Sequence, residues 1–307
     1  MNFTMRMAEK FWRFYRLPHR LDSIQESLGR IESRLNQSVA TPALSRPQDY
    51  EFKVYSQWGE DGIIDHILRS IQVETKVFVE FGVESYIEAN TLFLLKHRQW
   101  SGLVIDGSSE NIDAIRSGHV LWRYDLIAEC SFITRENINE IISRNHVRGD
   151  IGLLSVDIDG NDYWVWQAID CIEPRVVICE YNSLFGPTAP VSTPYAADFY
   201  RTAADSSNLY YGASIAALTH LAHARGYSLV AGNSAGNNAF FVRNDCLGTL
   251  VPQRPEDAYV QAGFRESRTK DGRVDLLTFK ERQTAIAALP VVHVISGVQG
   301  PLREFLE

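Results

Sequence analysis

The 307-residue sequence lacks several features that define well-known classes of protein. Its four cysteines are scattered and form no CxxC pair, which argues against a zinc site or a disulfide framework and favours reduced thiols in a cytoplasmic protein. No apolar run approaches the roughly 18–20 residues of a membrane span. A signal-peptide core is also missing. These absences predict a cytoplasmic protein.

A basic excess is missing as well. The formal net charge is -8 and the sequence pI is about 5.5, so no global charge attracts the phosphate backbone of nucleic acid. We expect no nucleic-acid partner. Hydrophobic residues at 45% and charged residues at 22% are values of a folded globular protein. The length allows one large domain, or one domain with an appendage.

The first 20 residues combine aromatic and basic side chains, among them Phe11, Trp12, Arg13 and Arg16. Such a segment either lies on an anionic membrane surface or packs as a helix on a neighbouring part of the protein. The sequence leaves both alternatives open. Peripheral contact with the inner face of a membrane is therefore one expectation for residues 1–20.

The next segment has apolar residues at alternating steps of three and four. These residues are Leu21, Ile24, Leu28, Ile31 and Leu35. Spacing of this kind predicts a short coiled coil within residues 1–37, and a helix laid on the main domain is the alternative. We predict a homo-oligomer that is held together by this helix. Residues 38–49 contain two prolines and small polar residues, and are interpreted as a linker.

The main domain is predicted to span residues 50–246, where strand-like runs alternate with helical ones. The seven strand-like runs are VFVEFGV, GLVIDG, HVLWRYDLI, IGLLSVDIDG, RVVICEYN, YSLVAGN and NNAFFVRND. This alternation predicts a doubly wound, mostly parallel α/β sheet with helices on both faces. The last two runs are separated only by SAG, which is too short for a parallel crossover, so they form a terminal antiparallel hairpin. Residues 247–307 are interpreted as a C-terminal extension without assigned chemistry.

The first strand, turn and helix lie where doubly wound folds hold a nucleotide. The full GxGxxG pattern is missing, because Gly82 is the only glycine of this turn. Glu84 and Glu88 would also repel a pyrophosphate. The sequence therefore argues against NAD.

Several motifs in a fixed order resemble those of one family. They are SQWGEDGI, VFVEFGVESYIEANT, WSGLVIDGS, LLSVDIDGNDYWVW, ICEYN and YYGASIAALTHLAHARGY followed by NAFFVRND. Together, over roughly residues 50–245, they resemble the FkbM-like methyltransferases, which are Rossmann-like class I enzymes that use S-adenosylmethionine. The resemblance implies methyl transfer to a hydroxyl of a sugar or glycan precursor. The reduced glycine turn keeps a second function open, a catalytically silent scaffold in glycan assembly.

The resemblance also implies which residues hold the cofactor. The methionine end would meet Gln57, Glu80 and the turn that contains Gly82. Asp106, at the tip of the second strand, would accept hydrogen bonds from the ribose hydroxyls. The full set expected to bind the cofactor is Gln57, Glu80, Gly82, Glu84, Asn90, Asp106, Gly107, Ser108 and Asp125, the last reaching the adenine amino group.

A second group of polar residues follows the fourth and fifth strands. Ligands of open α/β sheets bind beyond the carboxyl ends of the strands, so these side chains are expected to converge. Asp157 or Asp159 is predicted to take the proton from an acceptor hydroxyl. Alternatively, Asp157, Glu180 and Asn182 form an oxygen-ligand set for Mg²⁺, as in the metal-dependent O-methyltransferases that this layout resembles.

The connection between residues 183 and 211 is long and rich in proline and aromatic residues. Long loops of compact domains often form lids or binding surfaces. We predict that Glu180, Asn182 and Tyr195 contact the acceptor, a small molecule or glycan. Aromatic residues of this loop would either stack on a sugar or cap an apolar acceptor. A buried aromatic cluster is the alternative for this loop.

Overall fold

A computed structural model describes residues 17–39 and 46–306 of the chain. Most of the segment predicted to contact a membrane, residues 1–20, lies outside these ranges, so that expectation stays a prediction. Within the described ranges, no helix has the length and apolar content needed to cross a membrane.

The strands form one large and one small sheet. In chain order they are β1 (Val77–Phe81), β2 (Ser101–Asp106), β3 (Leu126–Cys130), β4 (Gly149–Val156), β5 (Ile172–Glu180), β6 (Val191–Ser192), β7 (Tyr227–Gly232), β8 (Asn238–Arg243), β9 (Pro290–His293) and β10 (Gln299–Pro301). The large sheet has seven strands in the order β3-β2-β1-β4-β5-β8-β7. Strands β1 to β5 are parallel to one another. Strand β8 is antiparallel to both β5 and β7. The predicted doubly wound sheet with a terminal hairpin is confirmed.

Helices cover both faces of the large sheet. In chain order they are α1 (Leu17–Val39), α2 (Glu60–Ser70), α3 (Leu92–Arg98), α4 (Ser109–Ser117), α5 (Val120–Arg123), α6 (Ile138–Arg144), α7 (Asp162–Ala168), α8 (Arg201–Ala204), α9 (Ile215–Ala224), α10 (Pro255–Ala258) and α11 (Phe279–Ile286). Successive residues of a strand point to opposite faces. Phe78 accordingly packs with α2, α3 and α4, whereas Val79 packs with α6, α7 and α9.

The small sheet joins the long connection after β5 to the C-terminal extension. Its strand order is β10-β9-β6, and all pairs are antiparallel. A third cluster of buried apolar residues, including Phe185, Val191 and Ile286, lies beside it. Residues 247–306 therefore pack on the main domain through a shared sheet.

The two sides of helix α1 have different surroundings. One side lies on the main domain: a Cβ on Gly29 would be 2.2 Å from Val54 Cγ2, and Ser33 Oγ donates a hydrogen bond of 2.9 Å to Asp65. The other side presents the predicted coiled-coil positions, which are 53% to 58% exposed at Leu21, Ile24, Leu28, Ile31 and Leu35. Since the structure contains a single chain, oligomerisation through these residues stays a prediction.

Candidate functional site

The order of the strands reverses between β1 and β4, and the residues that follow these two strands lie side by side. Gly82 follows β1 and has a φ of +66°, and a Cβ on it would lie 1.8 Å from the carbonyl oxygen of Asp157, which follows β4. Only glycine fits such a close backbone approach. Ligands of doubly wound sheets bind at a reversal of this kind.

Two cavities meet at this point. The first, called here the β2-side cavity, has a volume of about 560 Å³. The second, called the β5-side cavity, has a volume of about 420 Å³. Both linings include Gly82, Glu84, Asp157, Asp159 and Arg201. Two larger cavities, of about 900 and 650 Å³, are lined by residues of α1 and its neighbours and include none of these five residues.

The β2-side cavity has an acid on one wall and apolar side chains on another. Asp106 is 7% exposed. Its Oδ2 accepts a hydrogen bond from the Glu84 backbone at 2.8 Å, and its Oδ1 accepts from the Ser108 backbone at 2.8 Å and from Asn111 Nδ2 at 3.1 Å. Gly107, Ser108, Phe132 and Ile133 also line this cavity. The combination suits a ligand with one polar and one flat apolar part.

Glu80 lies beneath the turn that connects β1 to α3 and is 4% exposed. Its carboxylate accepts hydrogen bonds from the backbone of Asn90 at 2.8 Å and of Thr91 at 3.1 Å, and from the Thr91 hydroxyl. Burial raises the pKa of Glu80 to about 7. Glu80 and Asn90 both line the β5-side cavity, and the hydrogen bonds of Glu80 hold the turn in place. Binding of the cofactor by these two residues stays a prediction.

Two acids organise the loop that carries Gln57 and Trp58. Asp61 Oδ2 accepts hydrogen bonds from three consecutive backbone N–H groups, those of residues 54, 55 and 56, at 2.7 to 2.9 Å. Glu60 Oε2 accepts from the backbone of Trp58 and Gly59, each at 2.9 Å. Both acids are buried, and burial raises the pKa of Asp61 to about 6. They therefore position Gln57 and Trp58 at the β5-side cavity.

Three carboxylates converge where the cavities meet. One oxygen each of Asp157, Asp159 and Glu180 lies within 4.8 Å of the other two. Burial, together with repulsion from neighbouring acids, raises the pKa of Asp157 and of Glu180 well above the usual range. Asp159, with a left-handed φ of 55°, pairs with Arg201 at 2.5 Å.

Glu180 differs from the other two acids because one of its carboxylate oxygens is buried without a hydrogen-bond partner among the described residues. Its side chain is 7% exposed, and Oε2 has no hydrogen-bond partner among the residues that the structure describes. A buried acceptor without a partner has a free-energy cost of about 1–3 kcal/mol, more if it is charged. An additional ligand with a hydrogen-bond donor, or a cation, would remove that cost.

Three predicted site residues lie elsewhere. Asn182 is buried and binds its own loop: its Oδ1 accepts from the Leu184 backbone at 3.0 Å, and its Nδ2 donates to the carbonyls of Leu209 and Tyr211 at 2.9 and 3.1 Å. Its polar atoms are thereby used, so the prediction of Asn182 as a metal or acceptor ligand is corrected. Asp159 takes its place beside Asp157 and Glu180.

Asp125 lies at the wrong edge of the sheet for the adenine contact that was predicted. Residues 120–123 of the run HVLWRYDLI form helix α5, and β3 begins only at Leu126. Asp125 consequently precedes the strand, where it accepts a hydrogen bond of 2.7 Å from Ser101 Oγ at the start of β2. The residues that follow β3, including Phe132, line the β2-side cavity instead.

Tyr195 contacts neither cavity. Its hydroxyl donates to Glu136, and the guanidinium of Arg135 lies 4.0 Å from the centre of its ring. These contacts occupy its hydroxyl and one face of its ring, so the prediction that Tyr195 contacts the acceptor is corrected. Asp162, the first residue of α7, accepts hydrogen bonds from the Ile158 and Gly160 backbone and so holds the loop before the helix.

Several lining residues were not predicted from the sequence to be site residues. Arg201 comes from the long connection, and Phe264, Arg265 and Glu266 come from the C-terminal extension. Asn238 is the first residue of β8 and Asn237 precedes it. Only their long-range contacts bring them to the strand ends. The signals in the sequence were the aromatic content of the long connection and the run NNAFFVRND.

No family model matches the chain, and no curated protein matches it either. Solved structures with a similar arrangement include the N-terminal domain of EvdMO1 with SAH bound, at 10% identity, 65% coverage of this chain, 82% of that chain and a TM-score of 0.40. The O-methyltransferase from Bacillus cereus in complex with SAH has 13% identity, 71% and 89% coverage and a TM-score of 0.39. PKMT2 from Rickettsia typhi has 8% identity, 63% and 54% coverage and a TM-score of 0.40.

Proposed function

We propose that this chain is an S-adenosylmethionine-dependent methyltransferase that acts on a hydroxyl of a sugar or glycan precursor. The observation that carries the proposal is the pair of cavities that meet at Gly82 and Asp157, beyond the carboxyl ends of the parallel strands. One cavity suits a nucleoside and the other an acceptor. Their junction is where the reacting groups would meet.

The β2-side cavity supports the binding of the nucleoside half of the cofactor. Three protein donors already bind Asp106, and a carboxylate offers roughly four lone-pair sites. One site is thus left for a ribose hydroxyl. Phe132 and Ile133 provide apolar surface for a flat base. The cofactor supplies the methyl group when bound.

Asp157 has the properties of a general base for an acceptor hydroxyl. Its carboxylate lies at the junction of both cavities, and burial followed by repulsion from Asp159 raises its pKa well above the usual range. A base whose pKa lies nearer to the working pH takes up a proton more effectively in a transition state. Asp157 would take the hydroxyl proton as the acceptor oxygen attacks the methyl group.

A divalent cation is a further component that the residues would fit. Asp157, Asp159 and Glu180 supply oxygen ligands of the kind that Mg²⁺ prefers, and Glu180 Oε2 has no partner among the described residues. When bound, the cation would lower the pKa of an acceptor hydroxyl. In its absence Arg201 provides positive charge to Asp159.

Isothermal titration calorimetry with S-adenosylhomocysteine tests the cofactor assignment. We expect the wild-type chain to bind and Asp106→Asn to bind at least about tenfold more weakly, which is about 1.4 kcal/mol. Asp125→Asn is the matched control, because this acid lies at the opposite edge of the sheet and should leave affinity unchanged. Absence of binding to folded wild-type protein would refute the assignment. Binding without transfer to any acceptor would instead support a catalytically silent scaffold.

A further inference from the structure

Residues 259–278, called here the C-terminal strap, lie between α10 and α11 and form one wall of the β5-side cavity. Hydrogen bonds to other parts of the protein hold the first part of the strap, residues 259–264, in place. Tyr259 hydroxyl donates to the Ser183 carbonyl at 2.9 Å, and Arg282 donates to the carbonyls of Ala262 and Phe264 at 2.9 and 2.7 Å. These bonds make the strap a positioned wall of the cavity.

An aromatic pair lies at this wall. The ring of Phe264, from the strap, stacks on Trp58 with a centroid distance of 5.3 Å and an interplanar angle of 17°. Trp58 nevertheless stays 42% exposed, and its backbone is held by Glu60 at 2.9 Å. An indole that is fixed in position, lines a cavity and still has free surface is suited to contact the apolar face of a ring-shaped ligand.

The floor of the cavity has two buried oxygens that lack donors. Glu180 and Asn238 are paired across β5 and β8, and Glu180 Oε2 and Asn238 Oδ1 have no hydrogen-bond partner among the described residues. Both side chains are more than nine-tenths buried. Asn238 Nδ2 donates to Glu60 at 3.0 Å, so the amide oxygen is the atom left free. The floor therefore requires hydrogen-bond donors from a ligand.

The charge of the cavity also limits the charge that a ligand can carry. Seven acidic side chains line it. Even if Glu80, Asp157 and Glu180 are counted as neutral because their pKa is raised, four carboxylates remain against the two guanidinium groups of Arg201 and Arg265. Arg201 is already paired with Asp159 and with Glu266, at 2.5 and 2.6 Å. An acceptor with a phosphate or carboxylate near the floor would be repelled.

We propose that Trp58, Phe264, Glu180 and Asn238 form the acceptor subsite, and that its ligand is an uncharged, polyhydroxylated ring. This inference rests on the proposed methyltransferase function and assigns a specificity-determining role to the C-terminal strap. The apolar face of the ring lies against Trp58. Hydroxyl groups donate to Glu180 Oε2 and Asn238 Oδ1, and one hydroxyl lies near Asp157.

Saturation-transfer difference NMR on the full chain tests the subsite. The probes are the methyl glycosides of glucose, galactose, mannose, rhamnose and fucose, each with saturating S-adenosylhomocysteine. We expect saturation transfer to the ring protons of at least one of them, a loss of at least about fivefold in Trp58→Ala and partial recovery in Trp58→Phe. The uronate analogue of the same glycoside should give a weaker signal. The matched control is Trp122→Ala, because Trp122 is 68% exposed and lines neither cavity.

Three results would overturn the inference: no transfer to any glycoside, an unchanged signal in Trp58→Ala, or a stronger signal for the uronate. Asn238→Asp gives a second measurement, since it keeps the shape of the side chain and adds negative charge. The signal of the neutral glycosides, whose hydroxyls donate hydrogen bonds, should be kept or strengthened. The signal of the uronate should become weaker still. Calorimetry with S-adenosylhomocysteine on Trp58→Ala separates the two proposals, because affinity for this ligand should be unchanged. If wild-type protein fails to bind it, the proposed function fails whatever the glycosides do.

Discussion

A Cβ atom on Gly82 would lie 1.8 Å from the carbonyl oxygen of Asp157, so these two residues can be neighbours only because one of them is glycine. The contact brings the chain after β1 against the chain after β4 and sets the junction of the two cavities. It also explains why this turn keeps a glycine although the GxGxxG pattern is missing. The glycine serves the packing of the protein itself.

Gly82→Ala is therefore expected to destabilise the protein by more than backbone strain alone. Gly149→Ala is the matched control, because Gly149 has the same φ of +66° but nothing within 4 Å of the position of a Cβ. The left-handed conformation costs about 1–2 kcal/mol, which the control should show. Chemical denaturation should give a larger loss for Gly82→Ala, with weaker binding of S-adenosylhomocysteine. Equal losses in both variants would contradict the contact.

Glu80→Gln should change how stability depends on pH. Burial raises the pKa of Glu80 from 4.5 to about 7 in the folded protein. The folded state therefore binds a proton that the unfolded state has lost, and stability falls as pH rises from about 4.5 to about 7. Glutamine resembles the protonated form and does not ionise. The amide nitrogen of the variant cannot accept the hydrogen bond that one Glu80 oxygen accepts, which lowers its stability by an amount that does not depend on pH. On top of that constant loss, the stability of the variant relative to the wild type should rise by up to about 3 kcal/mol between about pH 4.5 and pH 7.

Urea denaturation of both proteins at several pH values measures this difference. Glu140→Gln is the control, because the side chain of Glu140 is 79% exposed and should contribute little at any pH. A constant difference between Glu80→Gln and the wild type from pH 4.5 to 8 would show that Glu80 does not titrate in this range.

A cation site at Asp157, Asp159 and Glu180 predicts stabilisation by Mg²⁺ or Mn²⁺ that grows with pH. The raised pKa of Asp157 and of Glu180 means that these carboxyls bind protons that a cation must displace. At a cation concentration of 100 times Kd, the gain is about 2.7 kcal/mol. Thermal denaturation should show a larger shift at pH 8 than at pH 5.5, and none in Glu180→Gln. No shift in the wild type at either pH would favour Asp157 as a base without a cation.

The exposed seam of α1 predicts an oligomer. Five apolar side chains are each more than half exposed along one side of this helix, and spacing of three and four suits a partner helix of the same kind. Light scattering should give a multiple of the 34.8 kDa chain mass. The double variant Leu28→Glu with Ile31→Lys should give the mass of one chain.

Val251→Glu is the control for this experiment, because Val251 is 74% exposed outside α1. It should not alter the mass. A single-chain mass for the wild type at high concentration would refute the coiled-coil oligomer. These substitutions leave Gly29 and Ser33, on the anchored side, unchanged.

Local sequence patterns were sufficient for much of the fold. Apolar runs with helical segments between them predicted the parallel strands, and the short SAG connection predicted the hairpin. Parallel strands place their carboxyl ends at one edge, so the convergence of Gly82, Asp106, Asp157 and Glu180 could be expected as well. The reason is physical: strand type and direction depend on residues that are close in sequence.

The turn at Gly82 depends both on the local sequence and on the tertiary structure. The sequence determined that a glycine follows β1, but only the packing of β4 decided that it accommodates Asp157. Because β3 begins only at Leu126, Asp125 lies at the amino end of the strands. The side-chain amide of Asn182 donates to the backbone carbonyls of Leu209 and Tyr211, which are distant in the sequence. Trp58 and Phe264 are far apart in the sequence, and only the fold brings their rings into contact. Side-chain direction and long-range contacts depend on the whole fold, so only the tertiary structure decided which residues of the long connection and of the C-terminal extension line the β5-side cavity.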